Sequence, residues 1–159
     1  MNHLGTGSAC SPTLHRTVAE SKLIPVELAR IVLHKDSPSQ HIYLVESDGD
    51  RSFPIVIGTG EAEEIRRVVQ EEKLPRPMTH KLALSMVESL GASISSADIV
   101  DLRKNTFFAT LTLTNAEGEV LGTVDARASD AIALALRARC PLRVADDVLD
   151  RAAEEKSPE

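Results

Sequence analysis

The chain has 159 residues, of which 42% are hydrophobic and 26% are charged, a balance that predicts one globular domain. Its formal net charge of −6 argues against tight, sequence-independent binding of nucleic acid by the whole surface. Local binding of nucleic acid remains compatible with this charge if metal ions or a basic patch neutralise the phosphates. Only 3% of the residues are aromatic, so we expect an aliphatic core and little stacking on bases.

The ends of the chain differ in character from its middle. Residues 1–23 are rich in small polar residues without periodicity, which predicts a flexible tail. Residues 24–153 form the expected domain, and residues 154–159 predict a frayed C-terminus.

We find neither the pattern of a signal peptide nor the roughly 20 apolar residues of a membrane span. Cys10 and Cys140 form no metal-binding or disulfide pattern. We therefore expect a cytoplasmic protein without membrane association.

The first half of the domain predicts three strands and two helices. The strands are Val26–Leu33, His41–Glu46 and Phe53–Ile57. The third is nearly all apolar, which predicts a central place in the sheet, although Pro54 conflicts with that place because proline lacks an N–H. A helix follows the third strand, and Thr79 is a suitable N-cap for the next helix.

The second half of the domain predicts further strands around one apolar helix. A short strand at Ile99–Leu102 and an alternating strand at Thr106–Leu113 precede a hairpin into Glu119–Ala126. The apolar helix Asp130–Arg139 is expected to be largely buried, and a last helix follows at Asp147–Glu154. Runs of strands and helices without strict alternation predict an α+β fold, with a mixed, mostly antiparallel sheet packed against a few helices.

Polar side chains crowd the point where the last long strand meets the apolar helix. A helix start can hold an anion or orient a carboxylate. Asp125 and Asp130 could hold a divalent cation there, and Arg127 could bind a phosphate with its guanidinium fork. The alternative is structural. Asp130 would complement the helix dipole, Ser129 would be the N-cap, and Arg127 would pair with Asp125, Asp130 or Glu61.

Glu61 lies at the start of the first helix, after the glycines of Gly58-Thr59-Gly60. Two glycines would let the backbone approach a phosphate closely, but the Lys-Ser/Thr ending of a P-loop is missing. A turn that begins a helix is the commoner explanation of such a sequence. The charged runs from residue 61 to residue 67 and from residue 71 to residue 73 are interpreted as a solvated helix face.

Three histidines lie within the predicted domain. His80 follows the expected N-cap of the second helix, where a neutral imidazole could act as a general acid or base near pH 7. Alternatively, its ring bonds the neighbouring backbone. His34 and His41 flank a polar loop and are expected to be solvated.

Three stretches together resemble the bifunctional nuclease domain family, small α+β proteins of bacteria and plants. The stretches are Phe53–Gly58 with its continuation to Ala62, Arg76–Leu82, and Asp125–Ala135. With the spacing between them, the resemblance covers roughly residues 25–152. This chain has Ala128 where the family usually has proline, and Lys81 where the family usually has aspartate.

The resemblance implies cleavage of RNA and DNA, and we hypothesise a weak phosphodiesterase assisted by Mg²⁺ or Mn²⁺. Glu61, Asp125 and Asp130 would hold the metal or activate water. His80 would transfer a proton, and Arg127 would steady the phosphate. The resemblance also suggests homodimers or higher homo-oligomers. The second hypothesis is a non-enzymatic binding or regulatory module that uses the same junction for a partner protein or a small anion.

Overall fold

The computed structural model describes residues 21–154. The predicted tail and the predicted frayed end therefore lie outside the described residues, apart from their innermost positions. Seven strands and four helices follow one another in the order β1 (Leu23–Val32), β2 (Ser39–Glu46), β3 (Ser52–Gly58), α1 (Thr59–Val69), α2 (Thr79–Ser89), β4 (Ser93–Arg103), β5 (Thr106–Thr114), β6 (Val120–Arg127), α3 (Ala128–Ala138), β7 (Leu142–Ala145) and α4 (Asp146–Glu154).

The strands form one sheet in the order β3-β2-β1-β7-β4-β5-β6. All neighbouring pairs are antiparallel except β4 and β7, which run parallel. The predicted α+β class and the mixed, mostly antiparallel sheet are thus confirmed. None of the helices among residues 21–154 is long and apolar enough to cross a membrane.

The expected central position of the third strand is wrong, because β3 is an edge strand. Its apolar sequence reflects burial of one face, on which Phe53, Ile55 and Ile57 are buried, while Val56 on the other face is exposed. Pro54 fits an edge, where a missing N–H breaks no ladder between two neighbours. Pro54 was therefore a better indicator of the position of β3 in the sheet than the apolar composition of the strand.

The predicted short strand at Ile99–Leu102 is the end of a longer one, β4, which begins at Ser93. The part that the sequence pattern missed is polar. Its buried Asp98 accepts hydrogen bonds from Arg143 Nε at 2.6 Å and from Ser96 Oγ at 3.2 Å. A buried charge needs such a partner, and here the partner comes from β7, the neighbouring strand.

The helices pack against the sheet and against one another. α3 lies between α1 and α2 and covers β4, β5 and β6, and seven of its eleven residues are buried, as expected from its apolar sequence. α4 contacts β3, which is one edge of the sheet, and also β7 and β4, a neighbouring pair near its middle. The sheet therefore curls around this helix, which brings the β3 edge towards the other half of the sheet.

The helix starts differ in detail from the prediction. α2 is capped by Met78 rather than Thr79, which is its first helical residue, and no side chain makes a capping hydrogen bond. α3 begins at Ala128 and its N-cap is Arg127, so Ser129 lies inside the helix and is buried. Asp130 therefore lies in the first turn of α3, where the helix dipole favours a carboxylate.

Candidate functional site

Two strand-to-helix junctions meet at the candidate site. β3 runs directly into α1, and β6 runs directly into α3, with no intervening loop. β3 and β6 are the opposite edges of the sheet. The junctions are joined by an ion pair in which Arg127 Nη1 lies 3.0 Å from Glu61 Oε1. The curl of the sheet thus brings together two residues that are 66 positions apart in sequence, 127 minus 61.

Gly58 leaves the space that the Glu61 side chain occupies. A Cβ added to Gly58 would lie 2.4 Å from Glu61 Oε2, closer than real atoms approach. Any larger residue at this position would push the carboxylate away from its present place. The glycine is therefore explained by the position of Glu61 and not by a left-handed backbone conformation.

Asp130 receives hydrogen bonds from two directions. Arg127 donates from Nε to Oδ2 at 2.7 Å and from Nη2 to Oδ1 at 3.1 Å, a two-pronged contact. His80 Nε2 lies 2.9 Å from Oδ1. Burial alone would raise the pKa of Asp130, but the hydrogen bonds from Arg127 and His80 outweigh it, and the pKa of this carboxyl is lowered. Asp130 is therefore an ionised acceptor at neutral pH.

His80 stands between two carboxylates. Because ionised Asp130 can only accept, His80 Nε2 carries the hydrogen of that bond. On the other side of the ring, Nδ1 lies 3.9 Å from Glu64 Oε1, beyond hydrogen-bond distance. The ring does not bond the neighbouring backbone, as the alternative for this residue supposed. It links α2 to α3 and faces α1.

Glu64 and Arg137 extend the network, and the sequence prediction missed both. The Glu64 side chain is 4% exposed, and Arg137 Nε donates to its Oε1 at 2.7 Å. Its other oxygen, Oε2, has no hydrogen-bond partner among the described residues, and Arg67 Nη1 lies 3.8 Å away. The interpretation of residues 61–67 as a solvated face is therefore wrong at Glu64. The partner of this glutamate is 73 residues away in sequence, so no local sequence pattern indicates that the two residues pair.

Asp125 is not joined to the other predicted carboxylates. It is exposed on β6 opposite Thr110 and makes no side-chain hydrogen bond or ion pair with the described residues. Glu61 and Asp130 converge on the guanidinium of Arg127 rather than on a shared metal position. Among residues 21–154, no group of three or more His, Cys, Asp or Glu side chains is arranged to hold a metal ion. As they stand, these side chains do not form a metal-ligand set.

A cavity of about 440 Å³ opens beside Glu61 and Arg127. It lies between the free edge of β3 and the start of α3, with the β4–β5 turn at its side. Apolar side chains and the polar groups of Asn105, Thr106 and Ser129 share its wall. Arg127 lines the cavity with a side chain that is 68% exposed, so its guanidinium is accessible from solvent although it is paired.

His34 and His41 are not part of this network. Their rings meet edge to face, with centroids 5.2 Å apart, next to the loop between β1 and β2. Neither ring is joined to Glu61, His80, Arg127 or Asp130 by a hydrogen bond or ion pair among the described residues.

Comparison with known proteins identifies the family. The sequence pattern of the bifunctional nuclease domain matches residues 42–157. The chain belongs to the bifunctional nuclease domain family. The match begins in β2 and takes in both junctions and all members of the network, so the candidate site lies inside the shared domain. The resemblance noted in the sequence is thereby confirmed.

Two curated relatives, both from Mycobacterium tuberculosis, are 40% identical to this chain over 111 residues. They are the uncharacterized proteins MT1877 and Rv1829. The match covers 70% of this chain and 65% of the length of each relative. Their names assign no activity, so this similarity adds no function.

Proposed function

We propose that this bifunctional nuclease domain protein hydrolyses phosphodiester bonds in RNA or DNA, slowly, at the junction of Glu61, Arg127 and Asp130. The observation that carries the proposal is the exposed guanidinium of Arg127, fixed by two carboxylates at the mouth of a cavity. A guanidinium held in this way is oriented before a phosphate arrives, which reduces the entropic cost of binding.

Each member of the site takes a role that its position supports. Arg127 binds the phosphate, and Asp130 holds the guanidinium in place through two hydrogen bonds. Glu61 lines the cavity and accepts the proton of the attacking water as the water oxygen bonds to phosphorus. The P–O bond to the leaving group then breaks, and the departing alkoxide takes a proton from solvent. His80 does not line the cavity and acts through Asp130, which it orients. Direct proton transfer by His80 stays a prediction, since its ring would first have to leave Asp130.

Assistance by Mg²⁺ or Mn²⁺ also stays a prediction. The described carboxylates do not form a ligand set, so no step of the proposal depends on a cation. Cytoplasmic action on nucleic acid, with weak binding because of the net charge of −6, belongs to the same proposal. The participation of Asp125 is not supported by a contact with the other members.

The alternative is a binding or regulatory module without catalysis. A specific observation favours it: Glu61, Arg127, Asp130 and His80 are engaged with one another, as the parts of a structural ion-pair network would be. In that case the junction would hold a small anion or a partner protein, and substitutions would change binding or stability alone.

The test is cleavage of labelled single-stranded RNA and DNA by the 159-residue chain in the presence of Mg²⁺, Mn²⁺ or EDTA. We expect the wild-type protein to cleave, and Arg127→Lys to cleave about tenfold more slowly or worse, because lysine keeps the charge but loses the fork. Cleavage by the wild-type protein in the presence of Mg²⁺ or Mn²⁺, but not in EDTA, would support assistance by a cation. Folded wild-type protein that cleaves neither substrate in any condition favours the binding module.

A further inference from the structure

We propose that the cavity beside Arg127 is a nucleoside subsite, which receives the base and sugar attached to the bound phosphate. This inference rests on the proposed function, because it takes Arg127 as the phosphate ligand. A phosphodiester bound at the cavity mouth has two ester substituents, and the cavity is the enclosed space beside Arg127 that can receive one of them. In nucleic acid that substituent is a nucleoside.

The size of the cavity suits this occupant. Its volume of about 440 Å³ lies at the lower end of the range of small-molecule sites, which runs from about 300 to 1,000 Å³. A longer stretch of nucleic acid would not fit. The rest of the strand would therefore lie outside, which agrees with the weak overall binding expected of an acidic protein.

The wall of the cavity offers the contacts that a base requires. Ile55 and Ile57 contribute buried apolar surface, and Phe107 adds a half-buried ring that is itself supported by Phe53, with centroids 5.5 Å apart. An apolar wall with an aromatic ring favours a flat, stacking ligand. The scarcity of aromatic residues in the chain makes the placement of this ring informative.

Asn105 provides a group able to read the edge of a base. Lys104 and Asn105 form the two-residue turn between β4 and β5, and both have left-handed backbone conformations, with φ of 48° and 58°. The turn carries Asn105 to the cavity wall, whereas Lys104 does not line this cavity. The Asn105 amide makes no hydrogen bond with the described residues, so its donor and its acceptor are both available.

The free edge of β3 adds main-chain groups. Residues 54–58 of this strand line the cavity, and no other strand of the described sheet pairs with that side. Alternate residues of an edge strand direct their N–H and C=O groups away from the sheet. These groups offer further hydrogen bonds to the exocyclic atoms of a base.

The experiment is an NMR titration of the 159-residue chain with each of the four nucleoside 5′-monophosphates, with ribose 5-phosphate and with inorganic phosphate. The deciding variant is Asn105→Gly, because glycine keeps the left-handed turn while removing the amide. Lys104→Gly is the matched control, with the same kind of change at the other position of the same turn.

We expect at least one nucleotide to bind about tenfold more tightly than ribose 5-phosphate. Asn105→Gly should weaken that binding about fivefold or more while leaving inorganic phosphate unchanged, and Lys104→Gly should match the wild type. Equal binding of nucleotides and ribose 5-phosphate, no binding of any nucleotide, or wild-type affinity in Asn105→Gly overturns the subsite.

The two proposals fail in different ways. If RNA and DNA are cleaved but neither the base nor Asn105→Gly changes nucleotide binding, the nucleoside subsite is wrong and the nuclease stands. If nucleotides bind with the expected dependence on Asn105 but no substrate is cleaved, the subsite stands and the nuclease is wrong.

Discussion

Arg127 and Glu61 join the two opposite edges of a seven-stranded sheet through an ion pair of 3.0 Å. Each residue lies where an edge strand passes into a helix. The contact exists because the sheet curls around α4, so the geometry of the site depends on the whole fold. The same contact places a guanidinium and a carboxylate at the mouth of one cavity.

Gly58→Ala should impair the site with little effect on the fold. The added Cβ would lie 2.4 Å from Glu61 Oε2 and would displace the carboxylate from Arg127. We expect cleavage to fall about tenfold or more, and the free energy of unfolding to change by less than about 1 kcal/mol, since the atom that moves is the end of a flexible side chain. Gly60→Ala is the control, because a Cβ there meets nothing within 4 Å. Equal activity of the two variants would contradict the role given to the Glu61 position.

Asp130 should contribute to stability in a pH-dependent way. Its pKa is lowered from an ordinary value of 3.8, so the folded state binds its proton less readily than the unfolded state. The contribution is complete above pH 3.8 and is lost as the pH falls through the lower pKa of the folded state. We expect Asp130→Asn to cost about 1 kcal/mol at pH 7, because the partner Arg127 is mostly exposed, and less at pH 3. Urea unfolding of both proteins at the two pH values measures this, and a difference that grows at pH 3 would refute it.

Glu64 should matter more for stability than any neighbouring glutamate of α1. Its side chain is 4% exposed and holds Arg137, which is 18% exposed. Removing one partner of a buried pair leaves the other charge uncompensated, so Glu64→Ala should cost about 3 kcal/mol. Glu63→Ala, at a more exposed position of the same helix, should cost less than about 1 kcal/mol. Chemical denaturation compares them, and the Glu64→Ala/Arg137→Ala double variant should recover part of the loss.

Self-association stays a prediction, and β6 suggests where it would occur. This edge strand exposes Val120, Leu121 and Val124, at 65%, 59% and 45%. An uncovered apolar edge strand is a favourable place for a second copy to pair. We expect a dimer or larger species by light scattering, and a smaller mass for Val120→Lys/Val124→Lys. Val69→Lys, at an exposed valine of α1, is the control, and a mass unchanged in all three proteins would exclude this edge.

The sequence predicted those parts of the fold in which local pattern and burial agree. β5 alternates between apolar and polar residues and α3 is apolar on most of its surface, so both were found close to their observed positions. β6 is exposed along most of its length and was found through the hairpin turn before it. The first half of β4 was missed because buried Asp98 looks like a loop residue until Arg143 is placed beside it. The edge position of β3 was visible only in Pro54.

The candidate site was predicted in part for the same reason. Arg127 and Asp130 lie three positions apart, and the pairing of Arg127 with Asp130 or Glu61 was one alternative that the sequence offered. The contact of His80 with Asp130 and the buried pair of Glu64 with Arg137 depend on how α1, α2 and α3 pack. Contacts between segments that are distant in sequence produce no periodic pattern from which they could be predicted.

The most direct measurement is the rate of RNA and DNA cleavage by folded Glu61→Gln and Asp130→Asn, beside wild type and Asp48→Asn. Asp48 is an exposed aspartate in the turn after β2, without a partner among the described side chains, and it controls for the loss of one negative charge. We expect Glu61→Gln and Asp130→Asn to lose about 100-fold in rate, and Asp48→Asn to equal wild type. Cleavage at the wild-type rate by both site variants would contradict the claim that this junction is the catalytic site.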